Sequence, residues 1–265
     1  MDKCKILAIA NQKGGTAKTT TTNNLGNALA DAGYRVLLVD FDPQSNLSMS
    51  FGVEHPDELA ISMHDVMSLV MDGKGLPEKS EYILSGEKLD IIPCNINLTV
   101  AEINLRNELG GEHTLKELLD PLRNDYEYII IDTNPYLGML TINALAACDE
   151  VIIPVSPQLW SATGLTDLIQ TIFKVKRKIN PQINIAGILL TICDERTILF
   201  RKAKNLLNEH YGDKVRIYET HIPTTVKIGE ANYYSNSIMD YDASNKAAHA
   251  YRAFAKEVCA SANKG

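Results

Sequence analysis

The stretch "NQKGGTAKTTT", residues 11–21, mixes glycine, lysine and threonine as a phosphate-holding loop does. Its spacing departs from the usual one. A P-loop has Gly, four residues, Gly, Lys, then Ser or Thr. Counting back from Lys18-Thr19, those two glycine positions hold Ala17 and Gln12. The glycines are instead Gly14 and Gly15, with an extra lysine, Lys13, in front of them. The flanks decide the matter. "KILAIA" (5–10) is a short apolar run of strand character. From 18 to 32 the pattern is helical, with Leu25, Ala28, Leu29 and Ala32 on one face and Gly33 as a natural stop. A glycine turn between a strand and a helix start places free backbone N–H groups where phosphate binds. Lys18 is then positioned to reach β- and γ-phosphates, and the Thr19 hydroxyl to ligate Mg²⁺. A purely structural turn has no need for Lys-Thr-Thr at its helix start.

Further along, "RVLLVD" (35–40), "LDIIP" (89–93), "YIIID" (128–132), "EVIIPV" (150–155), "INIAGILLTI" (183–192) and "VRIYET" (215–220) read as strands. They are almost continuously apolar, as strands are when helices cover both faces of a parallel sheet. Helical patterns follow the later strands at about 161–179, 197–210 and 243–260, and Thr114 to Glu117 has the form of a capping box. The stretch 43–88, with its prolines and glycines, is the least regular and holds one short helix near 62–71. The alternation predicts an α/β fold: a doubly wound, mostly parallel sheet flanked by helices, in a single domain over 1–265.

Such a site also needs carboxylates at strand ends. "VLLVDFDPQ" supplies Asp40 and Asp42, and "YIIIDTNP" supplies Asp132. All three follow apolar strands and should emerge at the carboxyl edge of the sheet, beside the loop. Asp132 suits the acid that holds Mg²⁺, and Asp42 a group that orients or polarises an attacking water. A lone aspartate after a strand is usually a loop former or helix cap. Three converging on one loop are not.

These motifs resemble the ParA/Soj-type ATPases of the deviant Walker A class, which also contains MinD and the nitrogenase iron protein. The family's loop, K-G-G-x-G-K-T-T, is matched by Lys13-Gly14-Gly15-Thr16-Ala17-Lys18-Thr19-Thr20. V-D-x-D-P-Q stands at Val39 to Gln44, and I-I-D-x-P-P at Ile130 to Pro135, with Asn134 in place of the first proline. Similar stretches continue through 137–155 and "IPTTVKIGEA" (222–231). The resemblance implies ATP and Mg²⁺ as cofactors and a slow, partner-stimulated hydrolysis. It implies a P-loop NTPase fold and an ATP-bound sandwich homodimer in which Lys13 crosses to the partner's phosphates. It implies that Asp42 supports hydrolysis and that Pro223 lies near the adenine; should Asp42 not carry that role, Asp40 is the next candidate. It also implies stimulation by a ParB-like protein, and non-specific DNA as a track for segregating a plasmid, chromosome or other cargo.

Composition narrows the partners. The 265 residues carry a formal net charge of −7, with 45% hydrophobic and 22% charged side chains, ordinary for a soluble globular chain. That charge argues against bulk attraction to nucleic acid or anionic lipid. The apolar run 6–10 is too short for a signal peptide core and no later run could cross a bilayer, so a cytoplasmic location is expected, on the nucleoid if DNA is bound. The five cysteines are scattered, as reduced packed thiols are. Soj-type proteins carry arginines on a DNA-binding face. Here Thr224 and Asp240 stand at two such positions, while Arg196, Lys227 and Lys246 remain as candidate contacts. From residue 213 onward seven basic side chains meet six acidic ones. "KVKRK" (174–178) and Arg201, Lys202 and Lys204 could compensate, although basic residues ending a helix also suit its dipole. Two other functions fit the same fold: a MinD-like positioning ATPase, which would want a strongly amphipathic basic C-terminal helix, and a regulatory binding protein whose nucleotide use Ala17 impairs. An iron–sulfur reductase would need a cysteine just past Asp132, where the chain reads "TNPYLG".

Overall fold

The computed structural model describes residues 4–158 and 162–262, without the side chains of 159–163 and 261–265. Its strands are β1 (Lys5–Ile9), β2 (Val36–Phe41), β3 (Leu84–Ser85), β4 (Asp90–Ile92), β5 (Tyr128–Thr133), β6 (Glu150–Val155), β7 (Asn184–Cys193) and β8 (Ile217–Pro223). They form one sheet in the order β3-β4-β2-β5-β1-β6-β7-β8, parallel throughout except at the β3–β4 edge. The helices are α1 (Lys18–Asp31), α2 (Asn46–Phe51), α3 (Met63–Met71), α4 (Lys79–Tyr82), α5 (Leu98–Leu105) and α6 (Thr114–Leu119). After them come α7 (Met139–Ala147), α8 (Ala162–Lys178), α9 (Ile198–Tyr211), α10 (Val226–Tyr233), α11 (Ile238–Tyr241) and α12 (Lys246–Ala262).

Continuous apolar strands arise because successive side chains enter two different cores. Ile6, Ala8, Leu37, Val39, Ile129 and Ile131 pack on one face against α3 and α5 to α9. Leu7, Ile9, Leu38 and Ile130 pack on the other against α1 and α12. On α12, Tyr251, Phe254 and Val258 are buried, each contributing about 1.5–3 kcal/mol by leaving water. Its apolar stripe is therefore occupied within the chain.

The seven strands expected from sequence are all present, within two residues at their ends except β8, which runs three residues further, to Pro223. The helix expected over 161–179 is α8, and residue 161 lies outside the described residues. Three details differ. The two-residue β3 was not foreseen. The irregular stretch 43–88 holds α2 and α4 as well as α3. The capping box at Thr114 to Glu117 does not form: Thr114 already lies inside α6, and its hydroxyl donates to Gly111 O at 3.1 Å. A 3₁₀ turn over Gly111–His113 leads directly into that helix, so the threonine has no N-cap position to fill. Capping by side chains occurs instead at Ser62, whose N–H and hydroxyl both donate to Asp65, at 2.8 and 2.7 Å.

Parallel strands with helical crossovers put the carboxyl end of every strand but β3 on one edge. The loop after β1 and the acids of β2 and β5 meet there. The "KVKRK" cluster does not. It ends α8, which runs back to the amino edge, where Lys176 Nζ donates to Ile183 O at 2.7 Å just before β7.

Candidate phosphate-binding site

The loop between β1 and α1 is fixed by its own side chains and by two neighbouring strands. Asn11 Nδ2 donates to Pro154 O at 2.7 Å, and Asn11 Oδ1 accepts from Lys13 N at 3.0 Å. Thr16 Oγ1 donates back to Lys13 O at 3.3 Å, while Thr191 Oγ1, from β7, donates to Thr16 O at 3.0 Å. Two residues turn the chain through positive φ: Gly15 at 73° and Ala17 at 63°. Ala17 is also the N-cap of α1 and offers no side-chain acceptor, so the first amides of the helix, from Lys18 onward, stay free to meet an anion. Gly14, Gly15, Ala17, Lys18, Thr19 and Thr20 line a cavity of about 510 Å³ together with Asp42.

Parallel pairing sets Asp40 level with Asp132 on adjacent strands. Thr19 Oγ1 donates to Asp132 Oδ2 at 2.6 Å, and Thr22, one helical turn on, reaches Oδ1 at 3.4 Å. Burial, then the nearby charge of Asp40, pushes the Asp132 carboxyl up to about 8, against the pull of the Thr19 hydroxyl and Lys18. Asp40 is pushed up to about 6, chiefly by burial. Its carboxylate faces α2, accepting from Ser48 N at 2.8 Å and Ser48 Oγ at 2.6 Å. Lys18 is buried too, and desolvation lowers its pKa against the attraction of Asp132 and Asp42. Its ammonium has a long contact to Lys13 O at 3.5 Å. Asp42, 8% exposed, accepts from Gln44 N at 3.0 Å. Asp42 also lines a second cavity of about 630 Å³ shared with Asn134, Tyr136, Glu102 and Arg106.

Three acids around one buried lysine leave the site short of positive charge. A hydroxyl and a carboxylate 2.6 Å apart are the hard oxygen donors that Mg²⁺ prefers. A family model described as an AAA domain matches residues 4–185. The sporulation initiation inhibitor protein Soj of Bacillus subtilis is 40% identical over 262 residues, covering 97% of this chain and 98% of its own. The chain belongs to the Soj/ParA family of partition ATPases.

The chromosome partitioning protein ParA of Caulobacter vibrioides is 38% identical over 256 residues, 96% of this chain and 93% of that one. Among solved structures, one described as cobyrinic acid a,c-diamide synthase from Mycobacterium smegmatis, with bound ATP analogue and magnesium, superposes with a TM-score of 0.83. It is 36% identical and covers 96% of this chain and 93% of its own.

The family's other positions are disposed unequally around this site. The Lys13 side chain is exposed at the mouth of the loop. Pro223 ends β8 beside Cys193 and is not part of the phosphate cavity's lining. Asn134, where the family has proline, accepts from Thr141 Oγ1 at 3.0 Å, which tethers the segment after Asp132 to α7. The basic candidates meet acids. Arg196, 89% exposed, is held by Asp194 at 2.9 Å, and Lys227 by Glu230 at 2.7 Å. Lys246 is exposed at the start of α12, within electrostatic reach of Glu195. Asp240 is engaged by Lys88. Arg201 and Lys204 lie on α9, which leaves the same carboxyl edge as Arg196.

Sequence reasoning missed Thr22, Ser48 and Thr191. Thr22 was within reach of it, being three residues beyond Thr19 on one helix face. Ser48 and Thr191 carry no local signal, because their partners come from other elements.

Proposed function

We propose that this chain is an ATP-dependent partition or positioning ATPase acting as a single domain over 1–265. One observation carries the proposal: Thr19 sits on Asp132 beside the buried Lys18, under a loop whose helix amides are free. ATP phosphates would lie on residues 14–20, with Lys18 offsetting their charge. Mg²⁺ would be held by Thr19 and Asp132 and would neutralise charge on the phosphates. Among the described residues no group of three or more His, Cys, Asp or Glu side chains could hold a metal alone, which suits an ion completed by phosphate oxygens. The M. smegmatis structure with ATP analogue and magnesium supports the same assignment. Asp42, at the junction of the two cavities, orients the attacking water and takes up its proton.

In this proposal the ATP-bound form is a homodimer to which Lys13 contributes across the interface. It binds DNA non-specifically through Arg196, Lys227 and Lys246, and a ParB-like partner stimulates turnover to segregate a plasmid, chromosome or mobile element. The setting is the cytoplasm, at the nucleoid when DNA is bound. No helix among the described residues is long and apolar enough to cross a membrane. The buried stripe of α12 also speaks against a MinD-like use of that helix at a lipid surface. Sedimentation of the protein with ADP, ATP and ATP plus DNA, alongside phosphate release, tests the proposal. An ATP-specific dimer that hydrolyses ATP and joins DNA is the expected result. ATP binding without turnover would overturn it in favour of a nucleotide-impaired regulator.

A further inference from the structure

Gly138 is a glycine whose backbone does not call for one. Its φ of −99° and ψ of −168° suit any residue. The constraint comes from across the structure: a Cβ at this position would lie 2.1 Å from Glu102 Oε1. Glu102 reaches over from α5 and accepts from the amides of Met139 at 2.7 Å and Leu140 at 3.1 Å. These are the first two amides of α7, which have no partner within the helix. Hydrogen bonds to an ionised acceptor are about twice as strong as neutral ones. The Glu102 side chain is 16% exposed, and Arg106 touches it from the solvent side at 3.3 Å.

The start of α7 matters because of what hangs from it. Residues 134–138 connect Asp132 to this helix. Their other ties also run to α7: Thr141 Oγ1 donates to Asn134 Oδ1 and contacts Tyr136 O. Asn134, Pro135 and Tyr136 line the 630 Å³ cavity that Asp42 also lines. Where α7 begins therefore sets where this wall stands relative to Asp42, and Glu102 sets where α7 begins.

We propose that Glu102 is a positioning residue for hydrolysis: a latch on the first turn of α7 that holds the 134–138 wall against Asp42, with Gly138 as the gap that admits it. The proposal rests on the ATPase reading above. A simple helix cap would alter stability. A latch alters the chemical step.

The test uses the full chain with Mg-ATP. Glu102→Ala should lower kcat by about tenfold or more, the scale of a lost charge-assisted contact, while KM for ATP stays within about twofold. Gly138→Ala should do the same, since its methyl displaces the carboxylate. The double variant is the decisive comparison: the three atoms nearest the methyl all belong to the Glu102 carboxylate, so with Glu102 gone the double should be no slower than the slower single. Losses that multiply in the double overturn the latch. So does a Glu102→Ala protein with a lowered Tm but unchanged kcat, which marks a cap alone. Failure of the wild type to hydrolyse ATP sinks the ATPase reading itself and the latch with it. Turnover in the wild type with none of these changes sinks only the latch.

Discussion

Ala17→Gly isolates one piece of backbone strain and asks where its energy is felt. Ala17 has φ 63° and ψ 37°, the left-handed region, where the methyl crowds the following carbonyl. For an L-residue that costs about 1–2 kcal/mol. Glycine removes this cost but gives the unfolded chain more freedom, returning about 0.4–1 kcal/mol. The net is a gain of about 1 kcal/mol, which for a chain of this size is about 2–4 °C in Tm. Thermal unfolding of the nucleotide-free protein, followed by circular dichroism, measures it. Nucleotide affinity should move little. The loop is held in this conformation by bonds within the chain, from Asn11, Thr16 and Thr191, so the strain is common to the free and bound states and cancels. Calorimetry should give Kd for ATP within about threefold of wild type, below the 1.4 kcal/mol that a tenfold change requires. An unchanged or lowered Tm refutes the strain argument. A tenfold tighter Kd refutes it differently, by showing that the methyl obstructs the phosphates.

Four further outcomes are expected. Asp132 has its carboxyl raised from 3.8 to about 8, so across that interval the folded state keeps a proton that the unfolded state releases. Stability of the nucleotide-free protein should then fall as pH rises from 5 to 8, and Asp132→Asn should flatten the Tm-against-pH curve, leaving the smaller slope of Asp40 below about 6. Asp42→Ala should bind ATP normally yet stop turnover and trap a dimer on sedimentation; unchanged phosphate release would assign the role elsewhere. Lys13→Ala should remain monomeric with ATP, and dimerisation equal to wild type would remove this lysine from the interface. DNA binding on unrelated duplexes should need ATP and weaken with salt, with a shallower slope than a fully basic surface gives; equal binding with ADP or no nucleotide would break the switch.

What was legible in the sequence follows from range. The β1–loop–α1 unit could be read because strand, turn and helix are consecutive, and each signals through its own composition. The long apolar runs revealed both faces of the sheet for the same reason. Thr114 shows the limit of a local pattern: Thr-x-x-Glu specifies a cap only if the chain enters the helix there, and the turn at Gly111–His113 moves that entry upstream. Asp40 shows another limit. In sequence it is a second acid beside Asp42, equally able to face the phosphates. Ser48 draws it instead toward α2, and that serine is recognisable only once α2 has folded back on β2. The Glu102 contact was invisible for the same reason, and Gly138 carries no local signal of it.

The wide spacing of the site's ties also orders events during synthesis. The phosphate loop is made before most of the strands that hold it, and of its side-chain bonds only those to Lys13, from Asn11 and Thr16 among others, are local. Thr19 bonds Asp132 from 113 residues away, Lys5 bonds Glu150 across 145, and Thr16 meets Thr191 across 175. A nascent chain that stops short of Tyr128 has β2 and β4 available to pair, but β1 has neither of its neighbours. Contacts of such separation form slowly, after their loop-closure entropy has been met. Nucleotide therefore cannot nucleate this fold from its own loop. It can only stabilise a chain already complete through β7, so the loop acquires its purpose only after strands made well after it.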